Sequence, residues 1–365
     1  MKITLVAGAR PNFMKISPII RAINNEVSNG TSIEYRLVHT GQHYDKNMSA
    51  AFFEQLGIPE PHVNLEAGGG SQAEQTAAIM VKFEQELLKN RPDLILVVGD
   101  VTSTMACTIT AKKLCVDAVH VEAGIRSGDI TMPEEVNRIV TDAITDHYFT
   151  TSEHANTHLR NSGVEEKRIH FVGNTMIDSL CQHIDKLVEP EIWSQHQLSS
   201  GKYLLLTLHR PANVDDSANL EKLVSTIIRH SHDYKIVFPV HPRTRKVLES
   251  LSINSDRLIC SEPLPYLEFI YLVKNAGGII TDSGGITEEA TVLGIPCMTM
   301  RNSTERPETV ILGTNELIGT DPQNIVPHLD NLIAGKWKKG GVPPLWDGKA
   351  AERIVGKLVS IYNRN

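Results

Sequence analysis

Residues 94–126 read LILVVGDVTSTMACTITAKKLCVDAVHVEAGIR, and this stretch decides the fold. The run LILVVGD (94–100) is apolar without a break until Gly99-Asp100, and AVHVEA (118–123) repeats the pattern up to Glu122. The residues between them, 104–115, have the length and composition of a helix. Unbroken apolar runs belong to strands covered on both faces, and two such strands joined by a helix form a parallel βαβ unit.

Working outward, the same alternation extends to both ends. ITLVA (3–7), YRLVHT (35–40), HYFTT (147–151) and RIHFVG (168–173) are further strands, with helices at 13–26, 45–56, 71–90, 133–145 and 153–162. The pattern restarts at YLLLTLH (203–209) and continues through KIVFPVH (235–241), RLICS (257–261), GGIITDS (277–283) and PCMTM (296–300). Two βαβ series predict an α/β protein of two Rossmann-like, doubly wound domains, 1–173 and 174–348, joined near 173–200. A final helix at 349–362, within residues 349–365, either packs back on the first domain or caps only the second.

Composition agrees with that picture. A chain of 365 residues has length for two domains and a sizeable core, and 41% hydrophobic with 22% charged residues is ordinary for a globular protein. The formal net charge of −7 argues against nucleic acid or an anionic membrane as partner. The five scattered cysteines (Cys107, Cys115, Cys181, Cys260, Cys297) form no CxxC pair, so neither zinc nor a disulfide framework is expected, and a cytoplasmic location is. The apolar start of the chain is too short for a signal peptide, and no window is long enough to span a membrane.

Ligands of open parallel sheets bind beyond the carboxyl ends of the strands, so the residues that follow each strand carry the chemistry. Gly8-Ala9-Arg10-Pro11-Asn12, with Lys15 one turn on, forms an anion seat but not the GxGxxG fingerprint of nicotinamide cofactors. Asp100, Glu122 and Glu134 converge with Arg126 and Arg138, a mixture that lets one carboxyl act as base and another as acid. Glu135 is expected only to decorate the start of its helix. In the second series His209-Arg210, His241 with Arg243, and Asp282-Ser283-Gly284-Gly285 end successive strands. Ser283, Gly284 and Gly285 at a helix start suit a diphosphate, Glu289 one turn in suits the hydroxyls of a ribose, and Phe269 is either a core aromatic or a flat surface for a base. Gln42 and His43 follow the second strand and line the same edge, whereas His154 and His158 are expected on a solvated helix face.

With these residues in place, the sequence closely resembles the UDP-N-acetylglucosamine 2-epimerase family. The matching segments are GARPNFMK, GQHYD, GDVTSTMA, HVEAGIRS, MPEEVNR, GNTMIDSL, LHRPANVD, PVHPRT, TDSGGITEEA and RNSTERPETV, in family order from residue 8 to about 310. The resemblance implies a glycosyltransferase-B type architecture with the active site between the two domains, a homodimer, a UDP-sugar substrate, no cofactor and no metal. It implies interconversion of UDP-GlcNAc and UDP-ManNAc: a base removes the C2 proton, UDP leaves C1 to give 2-acetamidoglucal, and UDP adds back with protonation from the opposite face.

Carried onto this chain, the acid/base set falls on Asp100, Glu122 and Glu134, with His209 from the second domain. Lys15, Arg10 and Arg138 steady the sugar and developing charge, while His241, Ser283, Gly284, Gly285, Glu289 and Phe269 hold UDP. Two departures stand out. Many bacterial members read HRREN where this chain has His209-Arg210-Pro211-Ala212-Asn213, and they carry an arginine where Glu74 precedes Gln75-Thr76. Both lie where those enzymes bind a second UDP-GlcNAc, so activation by substrate is expected to be absent or altered, although Gln42, His43 and Gln75 are kept. Rival readings are a hydrolysing epimerase that releases ManNAc and UDP, an epimerase of a modified UDP-sugar, a glycosyltransferase of the same fold, and a UDP-sugar-binding protein.

Overall fold

A computed structural model describes residues 1–42, 53, 57–240, 242–251, 253 and 255–362. His43, His241 and, apart from residue 53, the helix expected at 45–56 lie outside the described residues. The chain divides into two compact units, Met1–Cys181 with Pro344–Asn365, and Gln182–Pro343.

The first unit holds a seven-stranded parallel sheet in the order β3-β2-β1-β4-β5-β6-β7. Its strands are β1 (Lys2–Ala7), β2 (Glu34–His39), β3 (Val63–Asn64), β4 (Leu94–Val98), β5 (Asp117–Val121), β6 (His147–Thr150) and β7 (Ile169–Phe171). The order reverses between β1 and β4, where Ile3 to Val6 pair with Leu94 to Val97, and a crevice opens beyond such a reversal. Every residue of β4 is buried. At roughly 2 kcal/mol per buried aliphatic side chain, that strand alone contributes on the order of 10 kcal/mol of gross burial.

Helices Gln72–Lys89, Thr102–Lys113 and Pro133–Ile144 pack side by side. The return segment belongs to this unit as well. Trp346 is buried and donates from Nε1 to the Thr151 carbonyl at 2.9 Å. Helix Ala350–Tyr362 packs on helix Arg10–Ser28. The buried Asp178 accepts the first N–H groups of that final helix, from Ala350 at 3.0 Å and Ala351 at 2.6 Å.

The second unit repeats the plan with six parallel strands, ordered β10-β9-β8-β11-β12-β13. They are β8 (Tyr203–Thr207), β9 (Lys235–Pro239), β10 (Leu258–Ser261), β11 (Gly278–Thr281), β12 (Cys297–Thr299) and β13 (Asn315–Leu317). Here the reversal falls between β8 and β11, and Thr207 and Thr281 share a 2.7 Å hydroxyl contact at its mouth. The α/β class with two Rossmann-like sheets is therefore as the sequence predicts. The two-residue β3 and three-residue β13 at the sheet edges were not anticipated.

Candidate active site

At the mouth of the first reversal, the turn after β1 is closed by Asn12. Its Oδ1 accepts the N–H groups of Gly8 (3.0 Å) and Ala9 (2.9 Å), and its Nδ2 donates to the Val98 carbonyl at 3.1 Å. That buried cross-tie fixes the start of the helix carrying Arg10 and Lys15 against the end of β4. Gly8 must be glycine, because a Cβ there would sit 2.2 Å from the Ser103 hydroxyl. Ser103 in turn donates to Gln42 Oε1 from its N–H (2.9 Å) and hydroxyl (2.7 Å), and Gln75 Nε2 donates to the Gln42 carbonyl at 3.1 Å.

Glu122 follows β5, is 4% exposed, and holds a left-handed backbone at φ 70°. For a non-glycine residue that conformation costs about 1–3 kcal/mol and points to a functional constraint. Lys15 Nζ donates to Glu122 Oε2 at 2.7 Å. Gly99 beside them, at φ 69°, leaves room for both, since a Cβ there would lie 3.2 Å from Lys15 Nζ and 3.9 Å from Glu122 Oε2.

Asp100 is held separately. Arg138 donates to its Oδ2 from Nη2 (2.5 Å) and Nε (3.0 Å), and from Nη1 to Glu135 Oε2 at 2.7 Å. Glu135 does more than decorate the start of its helix: it is buried and also accepts the N–H groups of Ser127 (2.9 Å) and Gly128 (3.1 Å). Burial pushes its carboxyl up, but these donors and Arg138 prevail and hold it below the ordinary range. Glu134, one residue earlier, is exposed and joins none of these pairs.

Beneath Glu122 lies a tie that sequence reasoning did not find. His120 bridges Asp142 Oδ1 (Nδ1, 2.8 Å) and the Gly99 carbonyl (Nε2, 2.8 Å), all buried. Asp142 also accepts from the Gly124 N–H (3.0 Å) and Arg126 (2.7 Å), which shapes the loop after Glu122. His158 contacts the Gly124 carbonyl through Nδ1 at 2.9 Å, so it supports that loop instead of facing only solvent.

In the second unit, helix Gly284–Leu293 starts after β11 with Ser283 as its N-cap, and the Ser283 side chain makes no cap hydrogen bond. A helix start of this kind presents N–H donors and a positive dipole end to an anion. Arg301, also buried, lies over it, with Nη1 4.0 Å from where a Gly284 Cβ would stand, and it pairs with Glu305 at 2.6 Å. Glu289, 4% exposed, accepts from the Tyr266 hydroxyl at 3.1 Å. Burial pushes its carboxyl up to about 8 against that hydrogen bond. Phe269, on the first turn of helix Tyr266–Asn275, is partly exposed and not a core residue.

His209 follows β8, and its ring Nδ1 lies 2.8 Å from Asp282 Oδ1. Asp282, which in the sequence only ends a strand, is fully buried and accepts from the N–H groups of His209 and Arg210 and from the Asn213 amide, beside the His209 ring. No group of three or more His, Cys, Asp or Glu residues that could hold a metal occurs among the described residues.

Two parallel sheets, each with charged side chains gathered at the carboxyl ends of its strands, define an α/β protein of two Rossmann-like units. The UDP-N-acetylglucosamine 2-epimerase family model matches residues 25–359, and the chain belongs to that family. It is 40% identical to the UDP-N-acetylglucosamine 2-epimerase of Methanocaldococcus jannaschii, over 97% of this chain and 98% of that one. It is likewise 40% identical to the UDP-2,3-diacetamido-2,3-dideoxy-D-glucuronate 2-epimerase of Pseudomonas aeruginosa, over 99% and 100%. A crystal structure of the Methanocaldococcus jannaschii enzyme in complex with UDP-GlcNAc and UDP superposes with a TM-score of 0.87, covering 99% of this chain and 100% of that one at 40% identity.

Proposed function

We propose that the chain interconverts UDP-GlcNAc and UDP-ManNAc by elimination and readdition of UDP, without releasing free sugar. The observation that carries this reading is Glu122, a nearly buried carboxylate in a left-handed backbone, with the Lys15 ammonium 2.7 Å away. Abstracting a weakly acidic C2 proton calls for such a positioned carboxylate, and expelling UDP calls for donors fixed in advance at the leaving diphosphate. Asp100, Glu122 and Glu134 form the acid/base set with His209, and Arg10, Lys15 and Arg138 counter developing charge. Ser283, Gly284, Gly285, Glu289, Phe269 and His241 hold UDP.

The Pseudomonas aeruginosa relative supports a second reading, the same chemistry on a diacetamido-glucuronate. Proton NMR of UDP-GlcNAc with the enzyme in heavy water separates the cases. Loss of the C2 proton signal with growth of UDP-ManNAc supports the first reading. Free ManNAc with matching UDP makes the enzyme hydrolysing, and no exchange directs attention to modified UDP-sugars.

Glu74 also has a job of its own. It forms a capping box with Ser71, whose N–H donates to Glu74 Oε2 at 2.8 Å while the Glu74 N–H donates to Ser71 Oγ at 3.3 Å. We read substrate activation as absent or altered, so initial rates should rise hyperbolically with UDP-GlcNAc. A homodimer in the cytoplasm is proposed on the family resemblance, and light scattering tests the dimer.

A further inference from the structure

Asp282 is built as an acceptor on two sides. Its Oδ2 takes the Arg210 N–H at 2.9 Å and the Asn213 Nδ2 amide at 3.0 Å, its Oδ1 takes the His209 ring at 2.8 Å, and the His209 N–H is shared between Oδ2 at 3.1 Å and Oδ1 at 3.2 Å. Asp282 is 0% exposed, whereas the His209 side chain is 58% exposed. Burial pushes the Asp282 carboxyl up, but His209, Asn213 and the Arg210 N–H outweigh it and hold the group below the ordinary carboxylate range. An ionised carboxylate only accepts, so the imidazole nitrogen facing it must carry the hydrogen.

We propose that Asp282 is a positioning residue for His209: it fixes Nδ1 as the protonated nitrogen and turns Nε2 outward as the nitrogen that meets the substrate. The proposal deepens the epimerase reading and rests on it for the identity of the substrate, but the tautomer is a property of the free protein. The Arg210 N–H and the Asn213 amide, both on Oδ2 alone, also determine what an amide would do there. In an Asp282→Asn variant they select the amide oxygen for that side, so the amide NH2 faces His209 Nδ1 and forces the hydrogen onto Nε2. The reactive nitrogen then presents a hydrogen where the native enzyme presents a lone pair.

The test is heteronuclear NMR of ring-nitrogen-labelled histidine in the neutral imidazole form, with His209 assigned by its loss in His209→Asn. The expected result is the Nδ1–H tautomer in the native protein and the Nε2–H tautomer in Asp282→Asn. An Nε2–H tautomer in the native protein overturns the proposal, whether or not the variant folds and whether or not UDP-GlcNAc is turned over. Kinetics supply the second arm. Asp282→Asn should lower kcat roughly 10²- to 10⁴-fold, as expected for loss of a positioned proton-transfer group, with KM changed only a few-fold. The double variant with His209→Asn should be no slower than the slower single variant, because the two act as one unit. Multiplicative losses, or an unchanged tautomer in a folded Asp282→Asn protein, overturn it. Absence of turnover by the native enzyme counts against the substrate assignment and leaves the tautomer result to decide the proposal.

Discussion

At the ends of β4 and β5 carboxylates meet cations: Lys15 with Glu122, Arg138 with Asp100 and Glu135, Arg126 with Asp142. At the ends of β8 and β11 the two acids nearest the strand ends meet neutral donors and a histidine, Asp282 among N–H groups and Glu289 on a phenol, while the arginines there pair with Glu288 and Glu305. The contrast matches two tasks. Under the proposed function, carboxyls whose charge is set by close partners move protons, and a nucleotide diphosphate is gripped mainly by fixed dipoles and hydrogen-bond donors, with His209 the one proton-transfer group assigned to the second region.

Four measurements break or sharpen that contrast. Glu122→Gln should lower turnover roughly 10²- to 10⁴-fold while calorimetric UDP affinity stays within a few-fold. Equal losses of both would dissolve the division of labour. Arg138→Ala strands the buried Glu135, and removing one partner of a buried pair costs about 3–5 kcal/mol, to be read from the urea unfolding midpoint. A change under 1 kcal/mol would mean that Ser127 and Gly128 alone satisfy Glu135.

The third concerns the neutral side. Glu289 has a folded-state value raised from 4.5 to about 8, so its contribution to stability is full below 4.5 and is lost as pH rises through 8. Glu289→Gln, which stays neutral, should match the native protein in acid. It should then gain on it by at most about 1.4 kcal/mol per pH unit on the way to pH 8. A constant difference in melting temperature across that range contradicts the assignment of a buried neutral acid. The smallest effect belongs to Ser71→Ala, which removes a helix cap and costs about 1 kcal/mol without altering turnover. A large kinetic effect there would give Glu74 and its cap a part in turnover.

The principal strands were legible because each carries an unbroken apolar run, as Leu94–Val98 does, and the helices between them follow from spacing. β3 and β13 were not, since two or three residues at a sheet edge carry no periodicity. Glu122 and Asp100 were legible as strand-end carboxylates. Asn12, His120, Asp142 and the burial of Glu135 were not, because their roles depend on partners as far as 86 residues away, as with Asn12 and Val98. The one usable signal for Asp282 was an acid directly after the apolar run ending at Thr281, a place where an ionised group requires several donors.

The first unit takes its residues from two separate stretches, Met1–Cys181 and Pro344–Asn365, with the whole second unit between them. During synthesis, Asp178 and the Thr151 carbonyl leave the ribosome long before Ala350, Ala351 and Trp346 do. At roughly 5–20 residues per second the interval is on the order of ten to thirty seconds. For that time the groove on helix Arg10–Ser28 has no helix to fill it. The second unit is continuous from Gln182 to Pro343. The half of the enzyme that begins the chain therefore cannot close its own core until residues made after the whole second unit have arrived.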